Sequence, residues 1–158
     1  MKNQNSIGLD AKGSKELSNM LNVLLANYSI FYQNTRGIHW HIKGEKFFEL
    51  HLKFEELYND VFTKIDEVAE RILTLDHDPE HNFSEYKKLS SIKESKHISD
   101  GNTAVKGILD SFKTVISLQR KIMVVAQKLN DEGTSALMSD YIREQEKLVW
   151  MYSAFLSK

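Results

Sequence analysis

Four side chains that often bind metals recur along one stretch of the sequence: His51, Glu55, Asp66 and Glu70. The steps between them are four, eleven and four residues, which at about 100° per residue place all four on one narrow face of a helix. A polar face is usually the solvated side of a helix, and spacing alone leaves that interpretation open. Two features favour a metal site. The face carries no Lys or Arg, and His51 is followed one turn later by a carboxylate.

The distance between the two pairs predicts that a second copy of the chain completes the site. His51/Glu55 and Asp66/Glu70 lie about 22 Å apart along a helix, whereas the metals of a two-metal site are only about 4 Å apart. Two antiparallel copies related by a two-fold axis would bring one pair of each copy against the other pair of its partner. Such a dimer is isologous and contains two equivalent sites.

The composition restricts the class of protein. The chain has 158 residues, 41% apolar and 27% charged, with a single Pro, which fits one helix-rich globular domain. Its net charge of -1 produces no positive field toward nucleic acid or membrane. Without Cys, any metal must bind His and carboxylates. No long apolar segment or leader is visible, so we expect a cytoplasmic protein without membrane contact.

Hydrophobic periodicity predicts an all-α protein with four long helices. They cover about residues 14–42, 46–75, 103–130 and 134–156. Two joins are short, whereas 76–102 form a long crossover between helices 2 and 3. In that crossover Ser84 is the predicted N-cap of a short helix over Glu85–Leu89. Two short joins and one long crossover are typical of a ferritin-like four-helix bundle.

The chain begins with a polar segment that contains two Gly. We expect residues 1–13 to be a flexible N-terminal tail. Residues 14–158 then form one ferritin-like domain, whose first helix has Ser14 as its predicted N-cap.

The central stretch also resembles a known family. The matching segments are His39-Trp40, Ile42-Lys43-Gly44, Phe47-Phe48, Leu50-His51, Phe54-Glu55-Glu56-Leu57-Tyr58, Asp66 and Ala69-Glu70-Arg71, with a weaker match at Lys147 and Val149-Trp150-Met151. Together they resemble the signature of the Dps family, the DNA-protection-during-starvation proteins or mini-ferritins. The resemblance implies a hollow homododecamer built from two-fold dimers. It would oxidise Fe(II) with hydrogen peroxide or oxygen, store ferric mineral, and protect the cell and its DNA from oxidative damage.

The resemblance also implies a two-iron ferroxidase centre at the dimer interface. His39, His51 and Glu55 would come from one subunit, and Asp66 and Glu70 from its partner. The family more often has Asp at the position of Glu55, so the longer side chain is expected to alter the metal spacing. Imidazole and carboxylate suit Fe(II), and Zn(II) or Mn(II) are possible substitutes.

Several other side chains near these motifs have two interpretations. Trp40 is either a core residue or an aromatic near the iron that intercepts stray oxidants. His41 points to a different helix face from His39 and is not counted as a ligand. Glu94 and His97 have the E-x-x-H spacing of larger di-iron bundles, but they fall in the irregular crossover, and we interpret the spacing as chance.

Acidic residues near the start of the fourth helix are the candidates for pores that admit iron. In the family such residues line the three-fold axes, and here Asp131, Glu132 and Asp140 are available. An acidic position common in the family is occupied by Ala136, so the lining is expected to differ. Ordinary surface charge is the alternative interpretation.

Two functions compete with the ferroxidase. A DNA-binding, nucleoid-packing protein would need a cationic tail, but this one offers only Lys2 and Lys12, with Lys15 at the helix start and Asp10 opposing them. Phosphate affinity depends on such cations and is weakened by salt, so we expect weak or absent DNA binding at physiological salt. A purely structural bundle, with a solvated acidic face, is the other alternative.

Overall fold

Four long helices and one short helix make up residues 3–157, the part of the chain that this computed structural model describes. They are α1 (Ala11–His41), α2 (Phe47–Thr74), α3 (Phe83–Leu89), α4 (Gly101–Lys128) and α5 (Glu132–Leu156). α1 packs along α2 and α4 along α5, while α1 also contacts α3 and α4. The predicted all-α bundle, with a short helix in the crossover between helices 2 and 3, is confirmed.

The four long helices each bury one apolar stripe, which is why they associate. In α1 the stripe includes Leu17, Leu21 and Phe31, all 1% exposed or less, and each such side chain contributes about 1.5–3 kcal/mol when fully buried. The Phe31 ring meets Phe112 of α4 edge to face, with ring centroids 5.3 Å apart. Across residues 3–157 no helix has both the length and the apolar character needed to cross a membrane.

The helices begin at caps that differ from two of the predicted ones. Asp10, not Ser14, caps α1, and its carboxylate accepts a hydrogen bond from the Gly13 amide at 2.7 Å. Ser14 lies buried inside the first turn of the helix. Asn82, not Ser84, is the N-cap position of α3. Both helices therefore begin before the predicted boundary; the side chain of Asp10 caps α1, whereas that of Asn82 makes no capping hydrogen bond.

Residues 3–10 fold back onto the end of α2. Gln4 and Asp10 form an isolated antiparallel bridge. The Asn5 amide nitrogen donates to Ser14 Oγ at 3.0 Å. Ser6 donates through its backbone amide and its hydroxyl to the two oxygens of Asp76, at 2.6 and 2.5 Å. These bonds anchor the part of the polar N-terminal segment that the structure describes.

A short turn between α1 and α2 brings together His39 and His51, two of the predicted metal ligands. α1 ends at His41 and Ile42 is its C-cap. Gly44 then adopts a φ of 111°, which glycine tolerates without steric penalty. The tight turn reverses the chain, so the last turn of α1 lies beside the first turns of α2. The side chain of His39 is thereby placed next to that of His51.

A closed polar ring lies inside the bundle. The Tyr28 hydroxyl donates to the Gln119 side-chain oxygen, Gln119 donates to Gln145 at 2.7 Å, and Gln145 donates back to Tyr28 at 2.7 Å. The ring joins α1, α4 and α5, and all three residues are buried. Burial raises the pKa of Tyr28 above its ordinary range. Because buried polar groups must find partners, the ring favours this one arrangement of the three helices.

Candidate metal centre

His39 and His51 form a stacked pair between the end of α1 and the start of α2. Their ring centroids are 3.8 Å apart and their planes 11° apart. His39 Nδ1 lies 2.6 Å from the His51 carbonyl oxygen, and His51 Nδ1 lies 2.8 Å from the His39 carbonyl oxygen. A carbonyl oxygen only accepts, so each Nδ1 carries the proton and donates. In the neutral form of each ring, the Nε2 lone pair is therefore left for a metal, as in many metal-binding histidines.

Two aromatic side chains of α2 hold this pair in place. The Phe47 ring stacks on His51 at a centroid distance of 5.0 Å, and the Tyr58 ring meets His39 edge to face at 5.2 Å. His39 is only 7% exposed. Sequence reasoning did not assign Phe47 or Tyr58 to the site, although Tyr58 follows His51 by seven residues, or about two helical turns.

The carboxylates are divided between two regions of α2. Glu55 is half-buried one turn beyond His51, whereas Asp66 and Glu70 are exposed on the later half of the helix. Within residues 3–157 no three His, Cys, Asp or Glu side chains converge closely enough to hold a metal. One chain thus brings His39 and His51 together, while the pair Asp66/Glu70 lies about 22 Å along α2 from the pair His51/Glu55.

The face of α2 that carries Glu55, Asp66 and Glu70, here called the α2 ligand face, is also apolar. Four large side chains lie within about 40° of it by helical geometry. They are Phe48 (82% exposed), Leu52 (55%), Phe62 (61%) and Leu73 (54%). None of the ion pairs within residues 3–157 includes Glu55, Asp66 or Glu70. A merely solvated face would instead be rich in polar and paired residues.

These exposed apolar residues were visible in the sequence, at the same helical spacing as the ligands. The metal-site prediction rested only on the charged positions of that face and did not include them. So large an exposed apolar surface is typical of an interface rather than of free surface.

Trp40 lies at the surface rather than in the core. Its side chain is 56% exposed, and the Arg36 guanidinium carbon lies 4.8 Å from its ring centroid. The same guanidinium contacts the Tyr32 ring at 5.3 Å. Trp40 and Phe62 line one open groove beside α1, so Trp40 belongs to the same surface as the α2 ligand face.

The three candidates for the iron-admitting pores differ in exposure. Asp131 is 2% exposed, and its Oδ1 accepts from Arg71 at 2.6 Å and from the Thr134 amide at 3.0 Å. Its carboxylate thus caps α5 and pairs with Arg71, an arrangement that a pore-lining role does not explain. Glu132 and Asp140 are exposed, and Asp140 pairs with a neighbouring Arg on its own helix at 3.2 Å.

The bundle and its histidine pair can be compared with known proteins. A family described as Ferritin-like domain matches residues 18–158. A DNA protection during starvation protein from Porphyromonas gingivalis is 44% identical over 138 residues, covering 87% of each chain. The chain belongs to the Dps family. DNA protection during starvation protein 2 from Bacillus anthracis is a further Dps relative, 37% identical over 92% of this chain and 99% of its own.

Solved structures of other Dps proteins have the same fold. A Dps protein from Vibrio cholerae O1 superposes with a TM-score of 0.97 and 57% identity, covering 98% of each chain. That protein is described as a member of a broad superfamily of ferritin-like diiron-carboxylate proteins. The architecture of this Dps chain, including the crossover and its short helix, is thus the ferritin-like four-helix bundle.

Proposed function

We propose that this Dps protein is a ferroxidase and an iron store that protects the cell and its DNA from oxidative damage. Its substrate would be Fe(II), oxidised by hydrogen peroxide or oxygen at a two-iron centre between subunits. The observation that carries the proposal is the reciprocal hydrogen bonding of His39 and His51, which occupies both Nδ1 atoms and leaves both Nε2 atoms available. The diiron-carboxylate description of the Vibrio cholerae relative supports the same chemistry.

The centre is completed by a second copy in this proposal. His39, His51 and Glu55 of one copy would face Asp66 and Glu70 of the other across a two-fold axis. The exposed apolar residues of the α2 ligand face support this, because an antiparallel partner would remove them from water at about 25 cal/mol per Å² of apolar surface. The unpaired carboxylates would then find their charge partner in the bound iron.

The proposed ligands suit both oxidation states of the substrate. Imidazole and carboxylate bind Fe(II), and carboxylates bind the harder Fe(III) that follows. Each ferrous ion gives up one electron, and a pair of them reduces peroxide to water, so the reaction consumes both reagents that otherwise make hydroxyl radical. The ferric product would be stored as mineral inside a hollow homododecamer. Zn(II) or Mn(II) would bind the same ligands without that chemistry.

Two further roles at the surface belong to the same proposal. Trp40, in the groove beside the α2 ligand face, would intercept stray oxidants near the iron. Glu132 and Asp140 would attract Fe(II) at the pores of the shell, because exposed carboxylates raise the local concentration of cations. We do not include Asp131 among the pore residues, since Arg71 already neutralises its buried carboxylate.

The ferroxidase proposal predicts which variant loses activity. Fe(II) would be oxidised anaerobically by a stoichiometric dose of peroxide and followed by absorbance. We expect fast oxidation by the native protein and a rate near that of protein-free buffer in the His51→Ala, Asp66→Ala double variant, because both halves of the centre lose a ligand. Glu56→Ala is the matched control, since Glu56 is an exposed carboxylate of α2 outside the ligand face.

Assembly of each variant would be checked by light scattering. Native rates in an assembled double variant would exclude the α2 ligand face as the site. A loss of activity in Glu56→Ala as large as in the double variant would show that the assay reports general surface charge.

Binding to DNA is expected to be weak or absent. Lys12 and Lys15 lie in α1 rather than on a tail, Asp10 caps that helix, and Lys2 lies outside the described residues. We expect no shift of linear duplex DNA in a gel at physiological salt, because so few cations release few counterions even when multiplied in an oligomer. A shift that survives such salt at modest protein concentration would instead make nucleoid packing the leading function.

A further inference from the structure

We propose that His41 and His97 form a second transition-metal site, outside the ferroxidase centre. His41 is the last residue of α1 and His97 lies in the crossover between α3 and α4. Their ring centroids are 5.5 Å apart, with planes at 68°. The sequence pattern does not indicate this pair, because 55 residues separate His41 from His97. The proposal does not depend on the ferroxidase function.

The separation of the two rings fits one shared metal ion. An imidazole-bound Zn(II) lies about 2.0–2.1 Å from the nitrogen, and hence about 3.2 Å from the ring centroid. Two centroids 5.5 Å apart then subtend about 120° at the metal, close to the tetrahedral angle of about 109°. Rotation of an imidazole about its Cβ–Cγ bond hardly moves its centroid. Modest rotations of these two exposed side chains can therefore aim a nitrogen of each at the same point.

The nitrogen atoms of both rings are available. Within residues 3–157 neither ring makes a hydrogen bond to a protein atom, in contrast to His39 and His51, whose Nδ1 atoms are engaged. Both side chains are exposed and line the same open groove. Neutral imidazole with a free lone pair is the commonest protein ligand for transition metals.

The backbone holds His97 in position beside His41. Its φ is 56°, a left-handed conformation in which His is enriched relative to most residues. Hydrogen bonds fix the crossover on both sides of it. The Ser95 amide donates to the Asn34 side chain at 2.9 Å, and the Lys43 amide donates to the Ser99 carbonyl at 3.0 Å. Since these anchors fix the crossover to α1 and the turn after it, little ordering would be needed when a metal binds.

The donor set indicates the kind of metal and how firmly it is held. Imidazole suits Zn(II), Cu(II) and Ni(II). Glu94, which lines the same groove, is paired with Lys87 at 3.4 Å, and residues 3–157 place no third His, Asp or Glu at the pair. Water would fill the remaining positions, so the site would exchange its metal more readily than a closed four-ligand structural site does.

The test measures Zn(II) stoichiometry by isothermal titration of the assembled full-length protein. The His51→Ala, Asp66→Ala variant serves as the background, so that the ferroxidase centre does not bind. Each of His41→Asn and His97→Asn is added to it; Asn removes the imidazole and tolerates the left-handed backbone at 97. His81→Asn, in the same crossover and also exposed, is the matched control. We expect one Zn(II) per chain in the background and in the control, and its loss in both other variants.

Cu(II) provides a second readout on the same proteins. We expect an electron paramagnetic resonance signal with coupling to two nitrogen ligands, reduced to at most one in either His→Asn variant. Unchanged Zn(II) stoichiometry in His41→Asn or in His97→Asn would overturn the proposal. So would an equal loss of binding in His81→Asn, which would mean that surface histidines bind independently. Because the background already lacks His51 and Asp66, neither result bears on the ferroxidase proposal.

Discussion

At the scale of single residues, backbone carbonyl oxygens orient His39 and His51, and the Phe47 and Tyr58 rings pack against them. Each ring donates to the carbonyl of the other residue, so the two histidines fix each other's tautomer. Asp131 is a second residue whose role depends on its partners: it caps α5 and pairs with Arg71 at 2.6 Å. Its contribution is therefore to stability.

Removing the Asp131 carboxylate should destabilise the protein. We expect Asp131→Ala to lower the free energy of unfolding by about 2–4 kcal/mol, because it removes an N-cap and leaves a largely buried guanidinium unpaired. Asp131→Asn should lower the free energy of unfolding by a smaller amount, since Asn retains the cap. Glu132→Ala, at the neighbouring exposed position, should change the free energy of unfolding by less than about 1 kcal/mol. Urea unfolding followed by circular dichroism at one protein concentration measures all three, and equal losses at 131 and 132 would contradict the assignment.

At the scale of elements, the N-terminal turn and the end of α2 depend on each other. Ser6 donates two hydrogen bonds to Asp76, and these bonds, from the hydroxyl first and the amide second, hold the pKa of Asp76 below its ordinary range. A carboxyl whose folded pKa is lowered contributes stability above the ordinary Asp range. That contribution is lost as the pH falls through the lowered value.

The contact between Ser6 and Asp76 can be tested by hydrogen exchange. At neutral pH we expect the Ser6 amide to be protected in the native protein and to exchange freely in Asp76→Ala, because its acceptor is gone. Acidification below the ordinary Asp range should release the same amide in the native chain. Asp78→Ala, an exposed neighbour, should keep the protection. A Ser6 amide that stays protected in Asp76→Ala would mean that another group holds the turn.

At the scale of the whole molecule, the candidate centre is incomplete in one chain. Asp66 and Glu70 lie on the same face of α2 as Glu55, yet the pair Asp66/Glu70 is about 22 Å from the pair His51/Glu55 along the helix. In the proposed dimer the second copy would supply Asp66 and Glu70 at short range, and the exposed apolar residues of the α2 ligand face would provide the surface for it. The proposed ferroxidase activity therefore requires the dimer to assemble.

Mixing two inactive variants should restore activity if the centre is shared. His51→Ala and Asp66→Ala chains, unfolded and refolded together, form mixed dimers in which one site carries both lesions and the other carries none. Random pairing makes about half of the dimers mixed, so about a quarter of the native number of sites should return. The anaerobic peroxide assay measures the recovered rate.

A mixture of His51→Ala with Glu55→Ala is the matched control for this complementation. Both lesions then fall in the part of the centre that a single chain contributes, so every site keeps one lesion and no activity should return. Failure of the first mixture to exceed this control, with assembly intact in both, would contradict a shared centre.

The sequence predicted more of the helices than of the contacts between them. Periodic apolar residues such as Leu17, Leu21 and Phe31 predicted α1, and the length of the crossover predicted the bundle type. The ends were less accurate: Ser14 and Ser84 were the wrong caps, because Asp10 and Asn82 compete for the same local geometry and only the folded backbone decides between them. The ligand spacing along α2 was readable because it is a local property of one helix.

Patterns along the chain therefore predicted the four long helices, the crossover and the face of α2 that carries the acidic residues. Each of these follows from short-range periodicity in the chain. Only the tertiary structure decided the mutual bonding of His39 and His51, the burial of Asp131 against Arg71, and the meeting of His41 with His97. These depend on which segments distant in sequence are brought together, and that is set by packing of the helices and by the turns that join them.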